Sequence, residues 1–157
     1  MDIVSVPADL SALVMRLVLA TLLGAAVGVN REISLKPAGL RTHALVSLGS
    51  ALATIVGLLL SGSQGDAASP GRIIQGLVAG IGFIGGGVIL HLRESRTVQG
   101  LTTAASIWVV SATGIAAGAG LWRSALVAVG LTLVVLTIGR RIDHALHRGG
   151  PPGPDDD

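Results

Sequence analysis

Polar residues in this chain fall into short breaks between long apolar runs. Five runs, over residues 10–29, 42–60, 73–92, 98–118 and 121–139, each approach the roughly 20 residues a helix needs to cross a bilayer. Backbone amides in hydrocarbon find no water, so each run must satisfy its own hydrogen bonds, as a helix does. The breaks are short, so helices consecutive in sequence are expected to lie side by side and antiparallel. The pattern predicts an all-α, polytopic membrane protein with five transmembrane helices. One membrane domain is expected over 1–141. A short disordered tail is expected over 142–157, where GGPPGPDDD combines Gly, Pro and like charge with no apolar residue.

Small residues recur at four-residue spacing within the runs: Ala20, Gly24 and Gly28; Gly49, Ala53 and Gly57; Gly76 and Gly80; Gly82 and Gly86; Gly114 and Gly118. Apolar side chains gain little by leaving lipid for protein, so helices in a bilayer associate where small residues let backbones approach. Helices 1 to 4 are therefore expected to form a tight core, with the Val- and Leu-rich fifth helix facing lipid. Gly80 to Gly85 spells GIGFIG, a literal dinucleotide-binding pattern. That chemistry needs a strand, a turn and a helix in water, so within an apolar run the glycines read as packing. Gly85, Gly86 and Gly87 are consecutive, which adds a kink in helix 3 as an alternative to close packing.

The chain also resembles itself. GLRTHALVSLGSALATIVG from Gly39 aligns without gaps on GLTTAASIWVVSATGIAAG from Gly100, pairing Thr42 with Thr103, Ser50 with Ser111 and Gly57 with Gly118. The same register pairs Gly24 with Gly85. Helices 1 and 2 are expected to recur as helices 3 and 4, in a parallel repeat about an axis along the membrane normal.

Composition narrows the function. Half the residues are hydrophobic, 13% are charged and the mean hydropathy is +0.75, which excludes an ordinary soluble domain. Cysteine is absent, and with it disulfides, thiolate metal sites and cysteine nucleophiles. No basic residue precedes Arg16, so the N-terminus lacks the charge of a cleaved signal peptide and is expected to be retained. The net charge of +2 comes with no Tyr and one Phe, a poor match to a nucleic-acid surface. Its distribution fits a membrane better. Arg31, Lys36, Arg41, Arg93, Arg96, Arg140, Arg141 and Arg148 fall on one side, and only Arg72 and Arg123 on the other. That asymmetry predicts an external N-terminus and a cytoplasmic C-terminus, with basic residues against anionic headgroups of the lipid bilayer. Arg16 is the one charge within a run and is expected to snorkel toward headgroups.

No Asp or Glu lies inside a run, which disfavours a self-contained proton or Mg²⁺ carrier. The four histidines show no metal-ligand spacing, and no Ser/His/Asp order marks a nucleophile. The expectation is a protein without catalytic residues, metal site or cofactor, and not an enzyme. The break KPAGLRTH, Lys36 to His43, stands out instead. Pro37 holds Lys36 extended, Gly39 permits a turn and Thr42 is suited to cap helix 2. Across from it, HLRESRTVQGLTT brings Arg93, Glu94, Arg96 and Gln99 to the same side.

Three blocks, NREISLKPAGLRTHALVSLGSAL, GLVAGIGFIGGGVIL and VQGLTTAASIWVVSATGIAAGAG, resemble the signature of the MgtC/SapB family of bacterial inner-membrane proteins in content, order and spacing. The resemblance covers nearly all of residues 16–140. Asn30 stands where members often carry an acid, and Gly86 where Ala is usual. Many members also have a cytoplasmic C-terminal domain that is not expected here. The resemblance implies a non-enzymatic, multi-pass protein of the cell inner membrane linked to magnesium homeostasis at low Mg²⁺ and, in pathogens, to virulence. It also implies restraint of the F-type ATP synthase as a mode of action. Carried over by position, an interaction loop would comprise Arg31, Glu32, Lys36, Pro37, Gly39, Arg41, Thr42 and His43. Helix packing and a second motif would involve Gly24, Gly28, Gly80, Gly82, Gly85, Gly87, Gly100, Leu101, Thr102 and Thr103. Two readings remain: an interaction protein that docks on a partner or forms a homo-oligomer, and a small ion transporter or channel for magnesium or another ion, with carbonyls at the helix 3 glycines as ligands.

Overall fold

The computed structural model describes residues 9–64, 69–91 and 100–147. These residues form five α-helices and no strand: α1 (Leu10–Ile33), α2 (Leu40–Gln64), α3 (Ser69–His91), α4 (Leu101–Gly118) and α5 (Trp122–His147). Each contains a stretch long and apolar enough to cross a membrane. The protein is a multi-pass membrane protein, as the apolar runs predict. α5 continues through residues 142–147, where a disordered tail was expected. Residues 148–157 lie outside the described residues.

Local chemistry sets the helix ends. Asp9 is extended and its carboxylate accepts from the Ala12 amide at 2.8 Å and the Ser11 hydroxyl at 2.9 Å, an N-cap for α1. Those donors hold the Asp9 carboxyl below the usual carboxylate range. α1 stops at Ile33 because Leu35 turns left-handed, with φ 53°, and the Lys36 amide folds back onto the Arg31 carbonyl at 3.1 Å. The turn expected at Gly39 is thus made by Leu35. Glu32, not Thr42, caps α2: its carboxylate accepts from the Leu40 amide at 2.9 Å. Gly39 allows this because a Cβ there would lie 2.7 Å from the Glu32 carboxylate oxygen. At the other side of the membrane, Gly120 (φ 85°) reverses the chain between α4 and α5, and the Leu121 amide bonds the Ala116 carbonyl at 2.8 Å.

α4 is the central helix. It touches each of the other four, and 50% of its spanning stretch is buried, against 11% for α3 and for α5. The expected four-helix core is therefore corrected: α3 is as peripheral as α5. The glycines show why. A Cβ on Gly24 would lie 2.5 Å from the His43 carbonyl oxygen, and one on Gly28 would lie 2.6 Å from the Leu40 Cα. On α4, Gly114 sits against the Ser47 carbonyl, and a Cβ on Gly118 would lie 2.5 Å from the Ala51 carbonyl oxygen. Close packing thus joins α1 to α2 and α2 to α4. On α3 a Cβ on Gly85 would meet Ala104, while one on Gly76, Gly80, Gly82, Gly86 or Gly87 would meet nothing within 4 Å among the described residues. Gly80, Gly82 and Gly87 therefore do not pack closely on another described helix of the same chain. Helical structure also continues through Gly85 to Gly87, so the glycine run does not break α3.

Two contacts follow the internal repeat. Ser50 and Ser111, partners 61 residues apart, hydrogen-bond each other at 2.8 Å. A residue that touches its own repeat mate lies at the axis between repeats, so α2 and α4 meet there. The approach of Gly24 to His43 recurs as that of Gly85 to Ala104, both members moved by the same offset. α5 breaks the pattern: it packs on α1 and α4 alone. The apolar core follows this arrangement, with Ala20, Leu23 and Val27 of α1 and Ala51 of α2 clustered with Val110 and Ala117 of α4 and Ala125 and Val129 of α5.

Candidate functional site

The side chains with most to explain lie at the basic end of the bundle and in a polar seam running inward from it. On α2, His43, Ser47, Ser50 and Thr54 are all buried. Their spacing of four, three and four residues places them on one face over roughly 16 Å of helix. They meet α4, where Thr103, Ser106, Ser111 and Thr113 are buried as well.

His43 is fully enclosed, at 0% exposure. Its Nδ1 lies 2.9 Å from the Gly39 carbonyl, which has no proton to give, so Nδ1 carries the hydrogen and donates. In the neutral ring Nε2 is then an acceptor, 3.0 Å from the Ser106 hydroxyl. That hydroxyl also lies 2.8 Å from the Thr103 carbonyl, so one hydrogen serves two acceptors. Deeper in, Ser50 and Ser111 pair across the interface and Thr54 donates to the Ser50 carbonyl at 2.8 Å. Ser47, wedged between Gly24 and Gly114, has a buried hydroxyl with no partner.

Arg31 closes the seam at the basic end. Although it is 4% exposed, its Nη2 donates to the Thr103 hydroxyl at 2.8 Å and its buried Nε has no partner among the described residues. Around it the candidate loop divides by direction. Arg31 and His43 face inward and Glu32 caps a helix, while Lys36, Pro37 and Arg41 are exposed. Arg41 lines a shallow groove of about 200 Å³ with Val29, Glu32, Ile33 and Leu40. Thr42 is half-buried in the first turn of α2. α5 is latched to the same end: Arg140 donates to the Ser34 hydroxyl at 2.9 Å, which in turn donates to the Asn30 carbonyl at 2.8 Å. Gly100 precedes α4, with Leu101 and Thr102 exposed and Thr103 buried. Arg93, Glu94, Arg96 and Gln99 lie outside the described residues.

At the far end, Arg16 reaches the end of α4. Its Nη1 donates to the Gly118 carbonyl at 2.9 Å, placing a cation on the last carbonyl of α4, where the helix dipole is negative. Among the described residues no group of three or more His, Asp or Glu could hold a metal ion.

A model of the MgtC family matches residues 17–145. The chain belongs to the MgtC family. It is similar to Protein SrpB of Synechococcus elongatus, with 41% identity over 90% of this chain and 83% of that protein. It is also similar to Protein MgtC of Salmonella typhimurium, with 39% identity over 86% of this chain. An uncharacterized protein of Haemophilus influenzae shares 36% identity over 85% of this chain. The chain spans 54% of the Salmonella protein and 58% of the Haemophilus protein. No solved structure matches. The matched region of this MgtC-family protein contains α2, α3 and α4 entire and all but the outer ends of α1 and α5, and with them the whole polar seam.

From sequence, Ser50 and Ser111 pair as repeat mates, but the seam's other serines and threonines are not grouped with them. The signal was available: hydroxyl residues at the spacing of one helix face within two apolar runs.

Proposed function

We propose that this MgtC-family protein is a non-enzymatic regulatory protein of the bacterial inner membrane, and that its basic end docks on a membrane-protein partner. The N-terminus is external and the basic end cytoplasmic, on the asymmetry of Lys and Arg. The observation that carries the reading is the division of the loop. Arg31, Glu32 and His43 are spent on holding α1, α2 and α4 together, which leaves Lys36 and Arg41 exposed on a fixed rim beside an apolar groove. A rigid basic rim beside an apolar hollow suits recognition of a partner's acidic and apolar surface.

Resemblance to the family makes the F-type ATP synthase the first partner to test and low Mg²⁺ the first condition. A homo-oligomer is the alternative assembly. The transporter or channel reading depended on carbonyls freed at a break in α3, and α3 runs unbroken through its glycines.

Tagged protein is to be crosslinked in native membranes from cells grown at low and at high Mg²⁺, and then recovered. ATP synthase subunits are expected with the wild type at low Mg²⁺. Arg41→Ala is expected to lower their recovery about tenfold without changing the amount inserted, as loss of one charged interface contact would. Equal recovery by both proteins would remove Arg41 from docking, and recovery of this chain alone would favour self-association.

A further inference from the structure

We propose that the first turn of α4 and the guanidinium of Arg31 form a binding site for a phosphate-class oxyanion. Two independent features converge there. The first is the start of α4. Gly100 adopts a left-handed conformation (φ 86°) and no side chain caps the helix. The first amide satisfied across a turn is that of Ala104, on the Gly100 carbonyl at 2.8 Å. The amides of Leu101, Thr102 and Thr103 thus begin a helix with no carbonyl one turn behind them, at the positive end of its dipole.

The second feature is Arg31. It is 96% enclosed, it carries an unpartnered Nε, and no carboxylate among the described residues pairs with it. An arginine buried in a membrane protein without a counter-charge is costly, and such groups ordinarily pair. Here the guanidinium is instead held against the first turn of α4, through the Thr103 hydroxyl at 2.8 Å. Two positive groups therefore meet, and among the described residues no carboxylate is paired with either. A bound oxyanion relieves both at once.

The donor set selects the class of anion. Successive helix amides and a guanidinium are donors suited to several oxygens of one ligand, which a tetrahedral oxyanion supplies. Thr103 accepts from Arg31 and keeps its own hydrogen for a further acceptor. Gly100 has no side chain, and Leu101 and Thr102 are exposed at the basic end. Exposed Lys36 and Arg41 raise the local concentration of anions there. The phosphate could belong to a lipid headgroup at this depth or to a dissolved ion.

Full-length protein in a phospholipid-free detergent tests both sources. One arm titrates inorganic phosphate and the other short-chain phosphatidic acid, each read as a shift in the unfolding temperature and by the ¹⁵Nε resonances of arginine. Saturable stabilisation is expected in at least one arm, with one arginine Nε resonance shifting in step. Response to phosphate alone assigns a dissolved ligand, and response to phosphatidic acid alone a lipid. Arg31→Met should weaken binding about tenfold or more, while Arg141→Ala should not. If Arg31→Met does not fold, Thr103→Val decides, because it keeps the shape and removes the hydroxyl; several-fold weaker binding is expected. No saturable response in either arm, equal loss in Arg31→Met and Arg141→Ala, or unchanged binding by Thr103→Val would overturn the site.

Discussion

Gly114→Ala is expected to destabilise the protein by about 2–3 kcal/mol, whereas Gly80→Ala should be neutral or stabilise it by up to about 1 kcal/mol. The two substitutions add the same methyl group to a helical glycine in an apolar run. At Gly114 the new Cβ meets the Ser47 carbonyl and lies 3.0 Å from its Cα, backbone atoms that cannot step aside without moving α2 from α4. At Gly80 it meets nothing within 4 Å, so the helix keeps only the gain in propensity. Reversible unfolding in mixed micelles, followed by the fluorescence of Trp108 and Trp122, separates the cases. Equal effects at the two positions would mean that α2 and α4 are not in close contact at Gly114.

His43→Ala is expected to cost about 3 kcal/mol by the same measurement, since removal of a large buried side chain leaves a cavity as well as lost bonds. The ring is fully enclosed and joins α2 to Ser106 of α4, while its backbone carbonyl lies beneath Gly24 of α1. Three helices therefore relax together when it is removed. Arg41→Ala, exposed in the same loop, should change stability by less than about 0.5 kcal/mol. A loss below about 1 kcal/mol for His43→Ala would contradict the packing described for the basic end.

Much of this architecture was legible in the chain because the bilayer leaves few choices. Five apolar runs gave five helices, with starts within a few residues of the pattern. The errors have local causes. Helix ends shifted where a remote side chain intervened, as when Glu32 reached Leu40 and took the capping role assigned to Thr42. Small-residue spacing marked the close contacts at Gly24, Gly28, Gly114 and Gly118 but marked α3 equally, and spacing alone does not say which glycine stripe meets a neighbour. Charge patterning singled out the loop from Arg31 to His43. It could not divide the loop into inward and outward residues, because that depends on the position of α4, which enters only in three dimensions.

The seam was harder to see for a related reason. A serine or threonine in an apolar run can bond its own helix, as Thr54 does with the Ser50 carbonyl, or reach across, as Ser50 does with Ser111. In a membrane such cross-helix bonds are worth about 0.6 kcal/mol on average. The seam therefore fixes register and orientation more than it supplies stability, which comes from the close packing at the glycines.

The central structural claim is that repeat-related helices α2 and α4 meet at Ser50 and Ser111. The chain has no cysteine, so disulfide crosslinking tests this without background. Ser50→Cys with Ser111→Cys is oxidised in membranes, beside Gly49→Cys with Ser111→Cys. A protease site between α2 and α3 reports whether the two halves stay joined. With the serine hydroxyls 2.8 Å apart, the first pair should form an intramolecular disulfide within the reach of ordinary geometry. The second should not, because Gly49 faces open space one residue further round the helix. Crosslinking of the Gly49 pair in preference to the Ser50 pair, or of neither, would contradict the interface on which the repeat, the seam and the placement of Arg31 depend.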